Sequence, residues 1–111
     1  MYKHIEQIVQ LAANNKNLSD IHISWSKKIA VRINGDIMTV SDKPEIDEQT
    51  MKQLVMQLLD HDEKRFHEYH EKKELDFSFV SETNIAFRVN AYFSMGHMCV
   101  VMRKINKEAR E

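Results

Sequence analysis

Residues 85–93 read Ile85-Ala86-Phe87-Arg88-Val89-Asn90-Ala91-Tyr92-Phe93. Ile85, Phe87, Val89, Ala91 and Phe93 are apolar at every second position, the period of a strand with one face in a core. Ala86, Arg88, Asn90 and Tyr92 fall on the other face, so a guanidinium and an amide project side by side from one sheet surface. That surface is either plain solvated strand or a docking site for something anionic, and alternation alone does not choose. The same period recurs on both sides. Leu75-Asp76-Phe77-Ser78-Phe79-Val80 alternates before it, with a turn at 81–84. After it, 94–97 turn again and Met98, Val100 and Met102 alternate in a last strand. Cys99, between them, is expected to pack at the sheet.

The first half of the chain adds a second set of strands and all of the helices. Over 4–13, Ile5, Ile8, Val9 and Ala12 fall at i, i+3, i+4 and i+7, which predicts an amphipathic helix stopped by Asn14 and Asn15. In Ser19-Asp20-Ile21-His22-Ile23-Ser24-Trp25, Ile21, Ile23 and Trp25 alternate with polar residues, a half-buried strand. Asp20 and His22 then project to one side. Ile29, Val31 and Ile33 repeat the pattern with Arg32 and Asn34 outward. Asn34-Gly35 is a strong hairpin signal because both residues tolerate positive φ, and 37–40 is the returning strand. Pro44 breaks the pattern. Asp47 then reads as an N-cap, with Ile46 and Met51 at the two positions of a hydrophobic staple. Met51, Leu54, Val55, Leu58 and Leu59 form a helical stripe. Asp60 or Asp62 caps a second helix in which Phe66, Tyr69 and His70 share a face, and Glu71-Lys72-Lys73-Glu74 reads as its solvated end. The order is helix, three strands, two helices, three strands. It predicts an α+β domain with an antiparallel sheet of about six strands, an N-terminal helix and a helical pair between strands three and four.

Composition removes several function classes. The chain has 111 residues, 42% of them hydrophobic and 30% charged, which is one ordinary globular domain with a real core. The formal net charge of −1 argues against nucleic acid held by bulk charge, even with Arg32, Arg88 and Tyr92 on outward strand faces. One cysteine cannot form an internal disulfide, and no stretch approaches a membrane span, so the chain reads as cytosolic. Two glycines, Gly35 and Gly96, cannot make a P-loop or a dinucleotide fingerprint. The chain therefore has no phosphate cradle of its own. His61, His67 and His70 with Asp62 and Glu63 imitate a metal site, but H-E-x-x-H is missing and a solvated helix is expected. Asp20 and His22 have no nucleophile at a readable spacing, so hydrogen bonding and not a catalytic dyad is expected of them. The seven methionines, mostly on apolar stripes, are expected to fill the core.

Five segments in order then match one family. Ser19-Asp20-Ile21-His22-Ile23 and Val31-Arg32-Ile33-Asn34-Gly35-Asp36 resemble the S-D-[IL]-H-[IL] and V-R-x-[DN]-G-[DE] motifs of the type II and type IV secretion ATPases. Glu74-Leu75-Asp76-Phe77-Ser78-Phe79 resembles their E-x-D-F-S-[FY], Phe87-Arg88-Val89-Asn90 their F-R-V-N, and Arg103-Lys104-Ile105 the R-x-I that closes the N-terminal domain. The resemblance runs from about Ile5 to Ile105 and is nearest to the twitching-motility, or pilus-retraction, branch. The chain departs from the pattern at Ile85-Ala86, where the family often has a Gly-Arg or Ala-Arg pair, and at Ser94-Met95-Gly96-His97, where it commonly has Gln and paired glycines.

What the resemblance implies is specific. Residues 1–105 would be a PAS-like N-terminal domain, and 106–111 the start of a linker to a RecA-like ATPase domain in a longer parent. That parent would be a cytoplasmic hexameric ATPase using ATP and Mg, peripheral to the inner membrane through the motor complex and its platform, with no segment inserted in the bilayer. The N-terminal domain would pack on the ATPase domain of the same and neighbouring subunits. Arg88 and Arg103 would approach the nucleotide phosphates, while Asp20, His22, Arg32, Asp76 and Asn90 would serve interface or structural roles. This chain alone would not hydrolyse ATP. The alternative is a free-standing PAS-like ligand-binding or interaction domain, which would need a cavity and a cofactor ligand that the sequence does not display.

Overall fold

In the computed structural model, which describes residues 4–25, 27–40 and 45–105, the first apolar stripe forms helix α1 (Ile5–Ala13) with Ile5, Ile8, Val9 and Ala12 buried. His4 is its cap, not its first residue. The imidazole Nδ1 accepts from the Glu6 amide at 3.1 Å, and the Gln7 side chain accepts from the His4 amide at 3.0 Å. The expectations for Pro44 and for the linker at 106–111 lie outside the described residues.

Strands β1 (Leu18–Ser24), β2 (Ala30–Ile33) and β3 (Asp36–Thr39) follow. Asn34 and Gly35 turn between β2 and β3 at φ of 53° and 87°, the left-handed pair that the hairpin requires. Helix α2 (Glu48–Leu58) starts where Asp47 accepts from the Thr50 amide at 2.7 Å. Ile46 and Met51 are both buried, as the staple requires. Asp62, not Asp60, caps α3 (Glu63–Lys72), accepting from Lys64 and Arg65. Strands β4 (Glu74–Val80), β5 (Ala86–Ser94) and β6 (His97–Lys104) complete the chain. The charged run at 71–74 is not all helix end: Lys73 adopts a left-handed cap at φ 63°, and Glu74 already pairs with Tyr92 in the sheet.

Among the described residues, three helices lie with one six-stranded open sheet of order β3-β2-β1-β6-β5-β4, every pair antiparallel. This is the α+β architecture that the alternation predicted. The last strand in sequence sits beside the first, so β1 and β6 join the two hairpin-linked halves. Ile21, Ile23, Val31, Val89, Ala91, Val100 and Met102 line one sheet face and form a single core with the helix stripes. Each large side chain buried in that way contributes about 1.5–3 kcal/mol relative to exposure.

Tyr69 of α3 locks the helix to the sheet: its ring is fully buried, and its hydroxyl donates to the Tyr92 carbonyl at 2.6 Å. Phe66, Tyr69 and His70 pack edge-to-face, as their shared helix face predicts.

Two expectations need correction. Trp25 falls beyond the end of β1 and stacks on His97, with ring centroids 3.8 Å apart, instead of continuing the apolar row of β1. The methionines divide: Met51, Met98 and Met102 are buried, while Met38 on edge strand β3 and Met95 at the β5–β6 turn are exposed.

Candidate functional site

Because side chains alternate across a strand, the face opposite the helices is set by the register. One rung crosses the whole sheet through Ile37, Arg32, Asp20, Arg103, Arg88 and Ser78. The next rung runs through Thr39, Ala30, His22, Val101, Asn90 and Asp76. All seven residues nominated from the sequence therefore stand on two adjacent rungs of one face. Arg88, Arg103, Arg32 and Asp20 share the first, and His22, Asn90 and Asp76 the second.

The first rung carries three guanidiniums and one carboxylate. Arg32 is turned to its own hairpin, donating from Nη1 to the Gly35 carbonyl at 3.0 Å. Asp20 is buried, and its Oδ2 lies 3.4 Å from Arg103 Nε. Arg88 is exposed and makes no hydrogen bond or ion pair among the described residues. It is the direct cross-strand partner of Arg103. Side chains so placed have Cβ atoms about 4.5–5.5 Å apart, and like charges there destabilise a sheet.

The acidic residues of the neighbouring positions do not relieve that repulsion. The Asn90 amide nitrogen donates to Asp76 at 2.6 Å and to Glu74 at 3.1 Å, gathering both carboxylates against β4 and β5. One rung further on, burial pushes the Tyr92 phenol above its ordinary 10.0. His22, on the second rung, is half-buried, and its Nε2 is enclosed without a hydrogen-bond partner among the described residues. The local hydrogen bonding expected at Asp20 is present, while that expected at His22 is not made through Nε2.

Chemically, this face suits an anion with several oxygens. A guanidinium stays charged at any working pH and can grip two phosphate oxygens in parallel. Two of them side by side on neighbouring strands are held more firmly than on loops. The donor set does not suit a metal ion: among the described residues no three His, Cys, Asp or Glu side chains gather into a site. His70, one of the histidines that imitate a metal site, instead has Nδ1 3.0 Å from the Phe66 carbonyl oxygen. No described helix is long and apolar enough to cross a membrane.

The sequence nominates these residues one by one and not as a row. Alternation shows which way a side chain points, whereas the shared rung depends on β1 pairing with β6 across some eighty residues of chain, as in Asp20 with Arg103.

Fold and face together define a sheet domain that offers guanidinium groups without a phosphate cradle of its own. The chain is similar over 94% of its length to the pilus retraction motor PilT, solved with bound ADP, at 28% identity and a TM-score of 0.80. It is similar in fold to the ATPase DotB of Legionella pneumophila, at 18% identity, 91% coverage and a TM-score of 0.73. DotB of Yersinia pseudotuberculosis gives 18% identity, 91% coverage and 0.69. The chain spans only 29%, 28% and 29% of those three chains. No protein-family model and no curated protein matches it. The chain thus resembles an N-terminal domain of the pilus and secretion ATPases, as its motifs implied.

Proposed function

We propose that this chain is the N-terminal domain of a hexameric pilus-retraction or secretion ATPase, in which Arg88 and Arg103 hold phosphate oxygens of ATP. The domain spans residues 1–105 and is followed by a linker to a RecA-like ATPase domain. It packs on the ATPase domain of its own and of the neighbouring subunit. The P-loop and the ligands of Mg belong to that second domain, since the two glycines here cannot form a P-loop and no three potential metal ligands gather among the described residues. The parent works in the cytoplasm, at the inner membrane through the motor complex and its platform.

The observation that carries this reading is the Arg88–Arg103 pair. Two like charges occupy directly opposed positions on central strands, and the rung's single carboxylate sits on the far side of Arg103. An anion docked over both turns that repulsion into attraction. The likeness to a retraction motor solved with ADP supplies the class of anion. In a nucleotide clamp the arginines stabilise charge developing on the transferred phosphoryl group, or register its presence.

The test is Arg88→Ala in the full-length parent. ATP turnover is expected to fall at least about tenfold, well short of the roughly thousandfold or more that an arginine acting directly on the transferred phosphoryl group contributes, with circular dichroism of the domain unchanged. Full turnover would remove Arg88 from the site. The coding sequence beyond residue 111 tests the parent independently, since a Walker motif is expected there.

A further inference from the structure

Asp20 is the one acidic member of the arginine rung. It is only 5% exposed, although it stands on the face away from the helices. A carboxylate removed from water needs a charged or hydrogen-bonding partner to offset its lost hydration. Arginines stand on both sides of it, but their engagements differ. Arg32 donates from Nη1 to the Gly35 carbonyl, whereas Arg103 meets Asp20 through Nε. The Arg103 side chain is 72% exposed, and its Nη pair has no partner among the described residues.

A guanidinium held at Nε keeps its end-on Nη fork free, and that fork is the edge that takes two phosphate oxygens. An arginine without such a hold would spend entropy to find one geometry on binding. We infer that Asp20 is a positioning residue for the anion site: it grips Arg103 at Nε and presents the Nη pair beside Arg88. This rests on the reading of Arg88 and Arg103 as phosphate ligands.

The rival role for Asp20 is simple charge neutralisation, and the two roles predict opposite signs. A carboxylate near an anion site weakens binding by Coulomb repulsion, so its removal would tighten binding about twofold or more. Removal of a positioning group weakens binding instead, by about twofold to tenfold for one side chain released from order.

Inorganic triphosphate is titrated into the chain at low salt and followed by amide NMR shifts, for the unsubstituted chain, Arg88→Ala, Arg103→Ala, Asp20→Asn and the Asp20→Asn/Arg103→Ala pair. Asp20→Asn is expected to weaken binding in the otherwise native chain and to have no further effect when Arg103 is already alanine. Tighter or unchanged binding in Asp20→Asn, with Arg103→Ala still weakened, overturns the positioning role and leaves the phosphate reading standing. The absence of any triphosphate effect at Arg88 or Arg103 overturns the phosphate reading itself. A second measurement needs no variant. The Arg103 Nε–H is expected to exchange with solvent more slowly than the Arg88 Nε–H, and equal rates would show that Asp20 does not hold it.

Discussion

Replacing Tyr69 by phenylalanine removes one oxygen from the joint between α3 and the sheet, and its cost should depend on pH in a calculable way. The ring is fully buried and its hydroxyl donates to the Tyr92 carbonyl at 2.6 Å. Losing this buried hydrogen bond costs about 1–2 kcal/mol, or roughly 5–10 °C in Tm for a domain of this size. Burial also raises the Tyr69 phenol well above its ordinary 10.0, because the phenolate would have to leave water.

The folded pKa lies above the unfolded one. Stability from the neutral phenol is therefore complete below pH 10.0 and is lost as the pH rises from there toward the folded value. Within that window the unfolded state gives up its proton and the folded state keeps it. Stability then falls by up to about 1.4 kcal/mol per pH unit. Tyr69→Phe lacks this loss, while the alkaline response of Tyr92 is common to both proteins and cancels. Urea unfolding followed by circular dichroism should show a gap of about 1–2 kcal/mol at neutral pH that closes almost to nothing near about pH 11. A gap that stays constant from neutral to alkaline pH would refute the assignment of Tyr69 as a buried neutral donor.

Other substitutions report on separate parts of the fold. Met95 holds φ 53° at the β5–β6 turn with 94% of its surface exposed, so Met95→Asn should stabilise the chain by about 0.5–1 kcal/mol by relieving left-handed strain, read as a higher Tm. Asp62→Ala should lower the urea midpoint by the equivalent of about 1 kcal/mol, since the Asp62 carboxylate caps two amides of α3. Leu54→Ala, at a fully buried position of α2, should cost about 2–5 kcal/mol in the same unfolding assay.

How much of this was legible in the sequence depends on the range over which each feature is determined. Strands β4, β5 and β6 follow from local alternation, and the hairpin at Asn34-Gly35 follows from two residues that tolerate positive φ. The Asp47 and Asp62 caps are similarly local, because each carboxylate bonds amides two or three residues away. The candidate residues come from alternation and motif, which put Arg88 and Arg103 on strands with their side chains outward.

What was not legible is set by contacts between distant strands. The opposition of Arg88 and Arg103, and the burial of Asp20, exist only once β1, β5 and β6 are neighbours. Trp25 continued the alternation on paper but turned to stack on His97 because the strand had ended. Met38 matched an apolar pattern, but β3 is at the sheet edge and leaves it 48% exposed. Period alone does not separate an edge strand from a central one.

The most direct measurement is the structure of the full-length parent with a non-hydrolysable ATP analogue. The account predicts Arg88 with its guanidinium nitrogens about 3 Å from phosphate oxygens, Arg103 beside it. Arg88 pointing to bulk solvent or paired with a protein carboxylate, with the nucleotide bound elsewhere, would contradict it.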